Sequence, residues 1–194
     1  MSYNTKQISI ETGLCKETCY IHYYNSPLGK IILASNGNAL TGLWFDGQKY
    51  FGSTLTKDYI PKELPVFGQA DRWLDIYFSG KAPNFTPLLS LTTTPFRKSV
   101  WEIMLKIPFG QTISYKEIAI KLARQRGISH MSAHAVGGAV AHNPVSLIIP
   151  CHRVIGANGN LTGYAGGIDK KIKLLEMENI NTNALFLPKN GTAL

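Results

Sequence analysis

The chain has 194 residues, 44% of them hydrophobic, and a formal net charge of +8. That length builds one large domain or two small ones around a real core. No run approaches the roughly 18 to 20 uncharged apolar residues of a membrane span, and "MSYNTKQISIETGLCKE" lacks the basic and apolar regions of a secretory signal, so a cytoplasmic protein with no membrane partner is expected.

"CYIHYYN", "GKIILASN" and "ALTGLWFDG" (residues 19–25, 29–36 and 39–47) are β-branched or aromatic runs separated by Pro-Leu-Gly and Asn-Gly-Asn turns. They predict an antiparallel hairpin or meander. "QADRWLDIYFSG" (69–80) predicts a helix with Ala70, Trp73, Leu74 and Tyr77 or Phe78 on one apolar stripe, stopped by Gly80. "KAPNFTPLLSLTTTP" (81–95) reads as a polar, proline-containing connector, after which the pattern turns helical. "PFRKSVWEIMLKIPFG" places Phe96, Val100, Ile103 or Met104 and Ile107 at helical spacing. "SYKEIAIKLARQRG" opens with Ser114 and Glu117 at capping-box spacing and closes at Gly127. "SAHAVGGAVAHNP" is a short third helix, and 183–194 reads as a loose tail.

The expected organisation is α+β: a small antiparallel-sheet domain with a helix over 1–91, a mainly α-helical, winged helix-turn-helix-like domain over 92–182, and the tail. Residues 1–91 carry 8 basic and 7 acidic side chains, whereas 92–182 carry 11 and 5. The excess in the second half fits a polyanion partner, although a solvated lysine-rich face gives the same count. Two helices joined by "RGISHM" fit a helix-turn-helix, and an αα-corner inside a core would look similar. "AVGGAV" has only small side chains on its middle turns, and each glycine costs about 1 kcal/mol relative to alanine. Close approach to another backbone, or tight packing within the protein, would explain that sacrifice. Cys15, Cys19 and Cys151 make an odd count without a disulfide framework, which fits a reducing compartment.

The stretch "NPVSLIIPCHRVIG", followed by "GYAGG" and a helix ending "LLEMEN", strongly resembles the O6-alkylguanine-DNA alkyltransferases. The likeness spans about residues 95–178 and is most specific at Pro-Cys-His-Arg-Val, residues 150–154. The first half matches in outline only. The resemblance implies direct repair of double-stranded DNA: the alkyl group of O6-alkylguanine passes to Cys151, one transfer per molecule, without cofactor or metal. It also implies a relay from Cys151 through water to His152 and Glu178, and a structural role for Asn143. Tyr115, Val154, Tyr164 and Ala165 would hold the flipped base; Ala133, His134, Ala135, Gly137, Gly138 and Arg153 would meet the DNA.

The residue chemistry agrees with that implication. An alkyl carbon on oxygen is a soft electrophile, and a thiolate is the side-chain nucleophile best matched to it. A thiol with a reference pKa near 8.5 needs a base at neutral pH. Adjacent side chains on an extended strand face opposite ways, so adjacency does not give a direct contact between His152 and Cys151, and the bridging water that the resemblance implies would resolve the geometry. Glu178 falls on an apolar helix face where an unpaired carboxylate is costly, with Lys171 near the same direction as an alternative salt-bridge partner. A guanine inside a duplex cannot present O6 to a buried thiol, so the nucleotide must leave the stack.

Three positions depart from the family's pattern: His134 stands where many members have an arginine, Ala165 where some have a serine, and Ser146 where some have a proline. Cys15, Cys19 and His22 invite a zinc hypothesis, but the spacing is not a standard finger and no fourth ligand is evident, so no metal is expected. Nothing in the sequence points to oligomerisation, and a monomer is expected. Repair of O4-alkylthymine stays open. Two other readings remain: an alkyltransferase-like module that only binds lesions, against which Cys151 speaks, and a helix-turn-helix regulator with Cys151 as sensor.

Overall fold

The computed structural model describes residues 8–11, 19–56 and 58–187. The chain forms two compact units, Met1–Thr94 with Pro144–Ile148, and Pro95–Asn143 with Ile149–Leu194. A five-residue excursion near the Cys151 motif thus belongs to the first unit.

In the first unit β2 (Cys19–Ser26), β3 (Gly29–Ser35) and β4 (Leu40–Phe45) form the expected antiparallel meander. Parallel pairing extends it: β5 (Tyr59–Pro61) joins β2, and β6 (Leu89–Thr92) joins both β1 (Ile8–Glu11) and β4, for the order β1-β6-β4-β3-β2-β5. β6 lies inside the stretch expected to be connector. Gly42 is required where it stands, since a Cβ there would fall 1.9 Å from the Trp44 indole. Helix α1 (Pro65–Phe78) starts earlier than its apolar stripe indicated, because Pro65 opens its first turn; Ala70, Trp73, Leu74 and Tyr77 are its buried face, packed against β2 and β3. Leu43 within β4 pairs with the returning segment, its N–H donating to Pro144 O at 2.8 Å while Ser146 N–H donates to Leu43 O at 2.9 Å.

In the second unit α2 (Pro95–Met104), α3 (Tyr115–Arg126) and α4 (Ala133–Ala141) pack on one another. Val100, Trp101, Met104, Ile118, Leu122, Val136 and Val140 supply the core, and the Trp101 indole N–H donates to Ala139 O at 2.9 Å. Ser114 and Glu117 form the anticipated capping box, and Gly127 ends α3 in the left-handed region at φ 64°. Ser132 caps α4 by accepting from Ala135 N–H. A short parallel pair, β7 (Ile113–Ser114) with β8 (Val154–Ile155), ties the start of α3 to the segment after the cysteine motif. Helix α5 (Ile168–Met177) ends at Glu178. Residues 182–187 are not the expected loose tail: a 3-10 turn at Thr182–Ala184 leads Phe186 into a pair with Gly159 and Leu161. Residues 188–194 lie outside the described residues.

Candidate active site and nucleic-acid interface

After Asn143 the chain leaves the second unit and returns at Ile149. Pro150, at φ −81° and ψ 70°, makes an inverse γ-turn in which Cys151 N–H donates to Ile149 O at 2.8 Å. The same carbonyl accepts from Asn143 Nδ2 at 2.7 Å, so Asn143 holds the turn that delivers the cysteine. Cys151–Arg153 is then a single 3-10 turn, not the extended strand its aliphatic flanks indicate. Three residues per turn send successive side chains about 120° apart. Cys151, His152 and Arg153 therefore leave the backbone in three directions, and the premise that Cys151 and His152 face opposite ways does not hold.

All three are buried, as is Glu178, which is 2% exposed. Its carboxylate accepts from His152 Nε2 at 2.7 Å, from Arg153 Nε at 2.8 Å and Nη2 at 3.0 Å, and from Gly110 N–H at 3.0 Å. Arg153 spends a further N–H on Ile107 O at 2.8 Å. Burial works against the Glu178 charge, but the His152 and Arg153 hydrogen bonds and charges prevail and hold its carboxyl at about 2. Burial pushes the His152 imidazole below its ordinary range, against the upward pull of Glu178, on which its Nε2 is oriented. A proton from Cys151 can then be received only at Nδ1.

Two expectations need correction. Arg153, expected at the DNA surface, is 5% exposed with its guanidinium turned inward onto Glu178; a buried carboxylate left without a cation would be strongly destabilising. Lys171 does not pair with Glu178 either. Its ammonium is fully enclosed and donates to Val154 O at 2.7 Å, Thr162 O at 2.8 Å and Gly163 O at 3.4 Å. Gly110 and the Ile107 carbonyl were not anticipated at the site, and Lys171 was anticipated only as an alternative partner of Glu178, from its place three and four residues before Leu174 and Leu175 on the same apolar face.

The other expected residues gather around the same place. Val154 and Tyr164 are buried, Ala165 is half-buried, and the Tyr164 ring stands edge-on to His152 with centroids 6.5 Å apart. Tyr115, at the first position of α3, is hydrogen-bonded to the Thr162 side chain, and burial with the nearby Cys151 charge pushes its phenol up to about 12. Its ring lies 3.9 Å from where a Cβ on Gly137 would stand. Tyr115 thus reaches from the cysteine to α4.

Helix α4 turns Val136, Ala139 and Val140 inward and exposes Ala133, His134, Ala135 and Gly138, with Gly137 half-buried. Tight internal packing does not account for the glycine pair. A Cβ on Gly138 would meet nothing within 4 Å, and one on Gly137 would make ordinary van der Waals contact. The exposed face is therefore almost flat backbone, with the His134 imidazole its one long side chain.

Among the described residues no group of three or more His, Cys, Asp and Glu side chains is placed to hold a metal ion. Cys15 lies outside them, and the His22 ring faces Asp71 at 2.9 Å and Glu63 at 3.3 Å.

Profiles of the 6-O-methylguanine DNA methyltransferase match the chain twice: the ribonuclease-like domain over residues 19–91 and the DNA binding domain over 95–180. A methylated-DNA--protein-cysteine methyltransferase of Mycobacterium leprae is 43% identical over 154 residues, covering 79% of this chain and 88% of that one. One from Methanosarcina barkeri is 43% identical over 163 residues, covering 84% and 98%. The chain belongs to the O6-methylguanine DNA methyltransferase family. Mycobacterium tuberculosis OGT, solved in complex with DNA, superposes with a TM-score of 0.70 at 40% identity, covering 86% of this chain and 94% of that one. An O6-methylguanine DNA methyltransferase from Methanococcus jannaschii gives 0.59 at 29% identity, covering 88% and 99%. Direct repair of DNA by transfer of an alkyl group to one of the protein's own cysteines is the activity that goes with this membership.

Proposed function

We propose that Cys151 is the alkyl acceptor, and that it takes the group from O6 of a guanine rotated out of duplex DNA. The observation that carries this is a buried thiol one residue from an imidazole whose far nitrogen is fixed on a carboxylate at 2.7 Å. The Cys151 proton passes through a bridging water to His152 Nδ1, and Glu178 stabilises the imidazolium that forms. The thiolate attacks the alkyl carbon. As the S–C bond forms, the C–O6 bond breaks, its electron pair goes to the guanine oxygen, and the base takes up a proton. The product is a thioether, which no group nearby can hydrolyse, so each molecule acts once.

In this reading Tyr115 crowds the phosphate and contacts the extruded base, while backbone at Val154, Tyr164 and Ala165 lines its pocket. The α4 face of Ala133, His134, Ala135, Gly137 and Gly138 enters the narrow minor groove, where its small residues let the helix backbone approach closely. His134 occupies the space the base vacates. The protein acts on double-stranded DNA as a cytoplasmic monomer. Among the described residues no helix is long and apolar enough to cross a membrane.

Intact mass after incubation with an excess of O6-methylguanine oligonucleotide should rise by a single methyl group, mapped to Cys151. Many turnovers per protein, or transfer surviving Cys151→Ser, would reject the proposal.

A further inference from the structure

We propose that Lys171 is a positioning residue for the alkyl acceptor: its ammonium ties together the two backbone walls beside Cys151 and is the counter-charge of the Cys151 thiolate. The inference rests on Cys151 being the nucleophile.

The geometry begins with burial. Among the described residues Lys171 is the only fully enclosed lysine, and its three contacts are all neutral carbonyls. Val154 follows directly on the 3-10 turn of Cys151, whereas Thr162 and Gly163 lead into Tyr164 and Ala165. One ammonium therefore bridges two stretches that are joined otherwise through the intervening loop. Carbonyl oxygens satisfy its N–H groups but do not neutralise it. The ion pairs among the described residues join His22, His152 and Arg153 to Glu63, Asp71 and Glu178, and none includes Lys171. A buried cation without an anion tends to lose its proton. Burial lowers Lys171 to about 8, and the group that opposes this is Cys151.

The surrounding charges decide which anion and which cation belong together. His152 and Arg153 come from the cysteine's own turn, Tyr115 from α3, and Glu178 from the end of α5. Arg153 grips both Glu178 oxygens and so satisfies that carboxylate. After burial itself, both Arg153 and Lys171 disfavour a proton on His152. A lasting thiolate–imidazolium pair is thus opposed by two neighbouring cations, whereas a thiolate facing Lys171 is not. The Cys151 proton, received at His152 Nδ1, moves on to solvent and leaves a neutral imidazole. No oxidant or reductant enters this step.

The test uses iodoacetamide, which needs no DNA: an S–C bond forms at Cys151 and iodide leaves. Rates are followed between about pH 5 and 10, with peptide mapping to separate Cys151 from Cys15 and Cys19. In Lys171→Met the midpoint of the rate profile should move up by about one pH unit, which slows the reaction about tenfold near neutrality. A loss of packing alone would lower the rate at every pH without moving the midpoint, and that result overturns the proposal. So does a midpoint that responds to His152→Gln but not to Lys171→Met, which would make the imidazolium the counter-charge. Should Lys171→Met not fold, the unmutated protein gives the answer through ε-carbon NMR of its lysines. The Lys171 midpoint should fall once carboxamidomethylation has removed the thiolate, and an unchanged midpoint overturns the proposal. Normal Cys151 titration with no transfer from alkylated DNA would instead reject the repair role while leaving Lys171 its own.

Discussion

Four hydrogen bonds converge on the Glu178 carboxylate, and its replacement would leave Arg153 buried without its anion. Glu178→Gln should cost about 3–5 kcal/mol of stability, measured by urea unfolding. The carboxyl sits at about 2 in the folded chain against an ordinary 4.5, so the unfolded chain takes the proton first as pH falls. The stabilisation is complete above about 4.5 and is lost progressively down to about 2. Urea midpoints across this window should fall more steeply for the unmutated protein than for Glu178→Gln; equal slopes would show that the carboxylate is not the group responsible. Lys171 has the opposite position on the scale. Its folded value of about 8 lies below 10.5, so this group's contribution to stability rises as pH climbs between the two. At this scale the contact between His152 and Glu178 was legible because the family resemblance names both residues and the carboxylate falls on an apolar face that calls for a partner. The destinations of Arg153 and Lys171 were not. A charge in a sequence carries no mark of whether a buried partner will draw it inward, and here one carboxylate drew in Arg153 and three carbonyls drew in Lys171.

Helix α4 keeps two glycines that its own packing does not require. Gly138→Ala should therefore stabilise the protein by about 1 kcal/mol, because the added methyl lies in open space and alanine is the better helix former. The same change should weaken binding to duplex DNA in a fluorescence anisotropy titration. If stability rises and affinity holds, α4 does not approach DNA closely. Ser114→Ala should cost about 1 kcal/mol by breaking the capping box of α3. Helices α2, α3 and α4 were readable since their caps and apolar spacings are local signals. Strand β6 was not, for "LSLT" is four residues in a threonine- and proline-rich stretch, and pairing with β1 and β4 is what makes it a strand. "LIIPCHRVIG" misled in the other direction. Its aliphatic run reads as a core strand, but Pro150 bends the chain and the 3-10 turn follows.

The uneven charge of the whole chain survives the burial of part of it. Arg153, Lys171 and Glu178 are internal, which leaves nine basic and four acidic side chains of residues 92–182 for the remaining surface. Binding to undamaged duplex should accordingly weaken steeply between low and moderate salt, as released counterions are recaptured. A flat dependence would remove charge as a source of affinity. The division into an α+β half and a helical half was legible in the change of periodicity near residue 95. The interruption of the second unit by Pro144–Ile148 was not, because it rests on backbone pairing with Leu43, one hundred residues upstream.

That excursion bears on how the molecule can be divided. A break between residues 94 and 95 looks like a natural seam, yet it would send Pro144–Ile148 away with the C-terminal piece and strip Leu43 of both its hydrogen bonds to that segment. The N-terminal piece would lack part of its own unit, and the five misplaced residues end one position before Ile149, whose carbonyl Asn143 holds, and three before the thiol itself. Separately expressed halves should recover alkyl transfer only when mixed, whereas a circular permutant opened at an exposed loop should keep it.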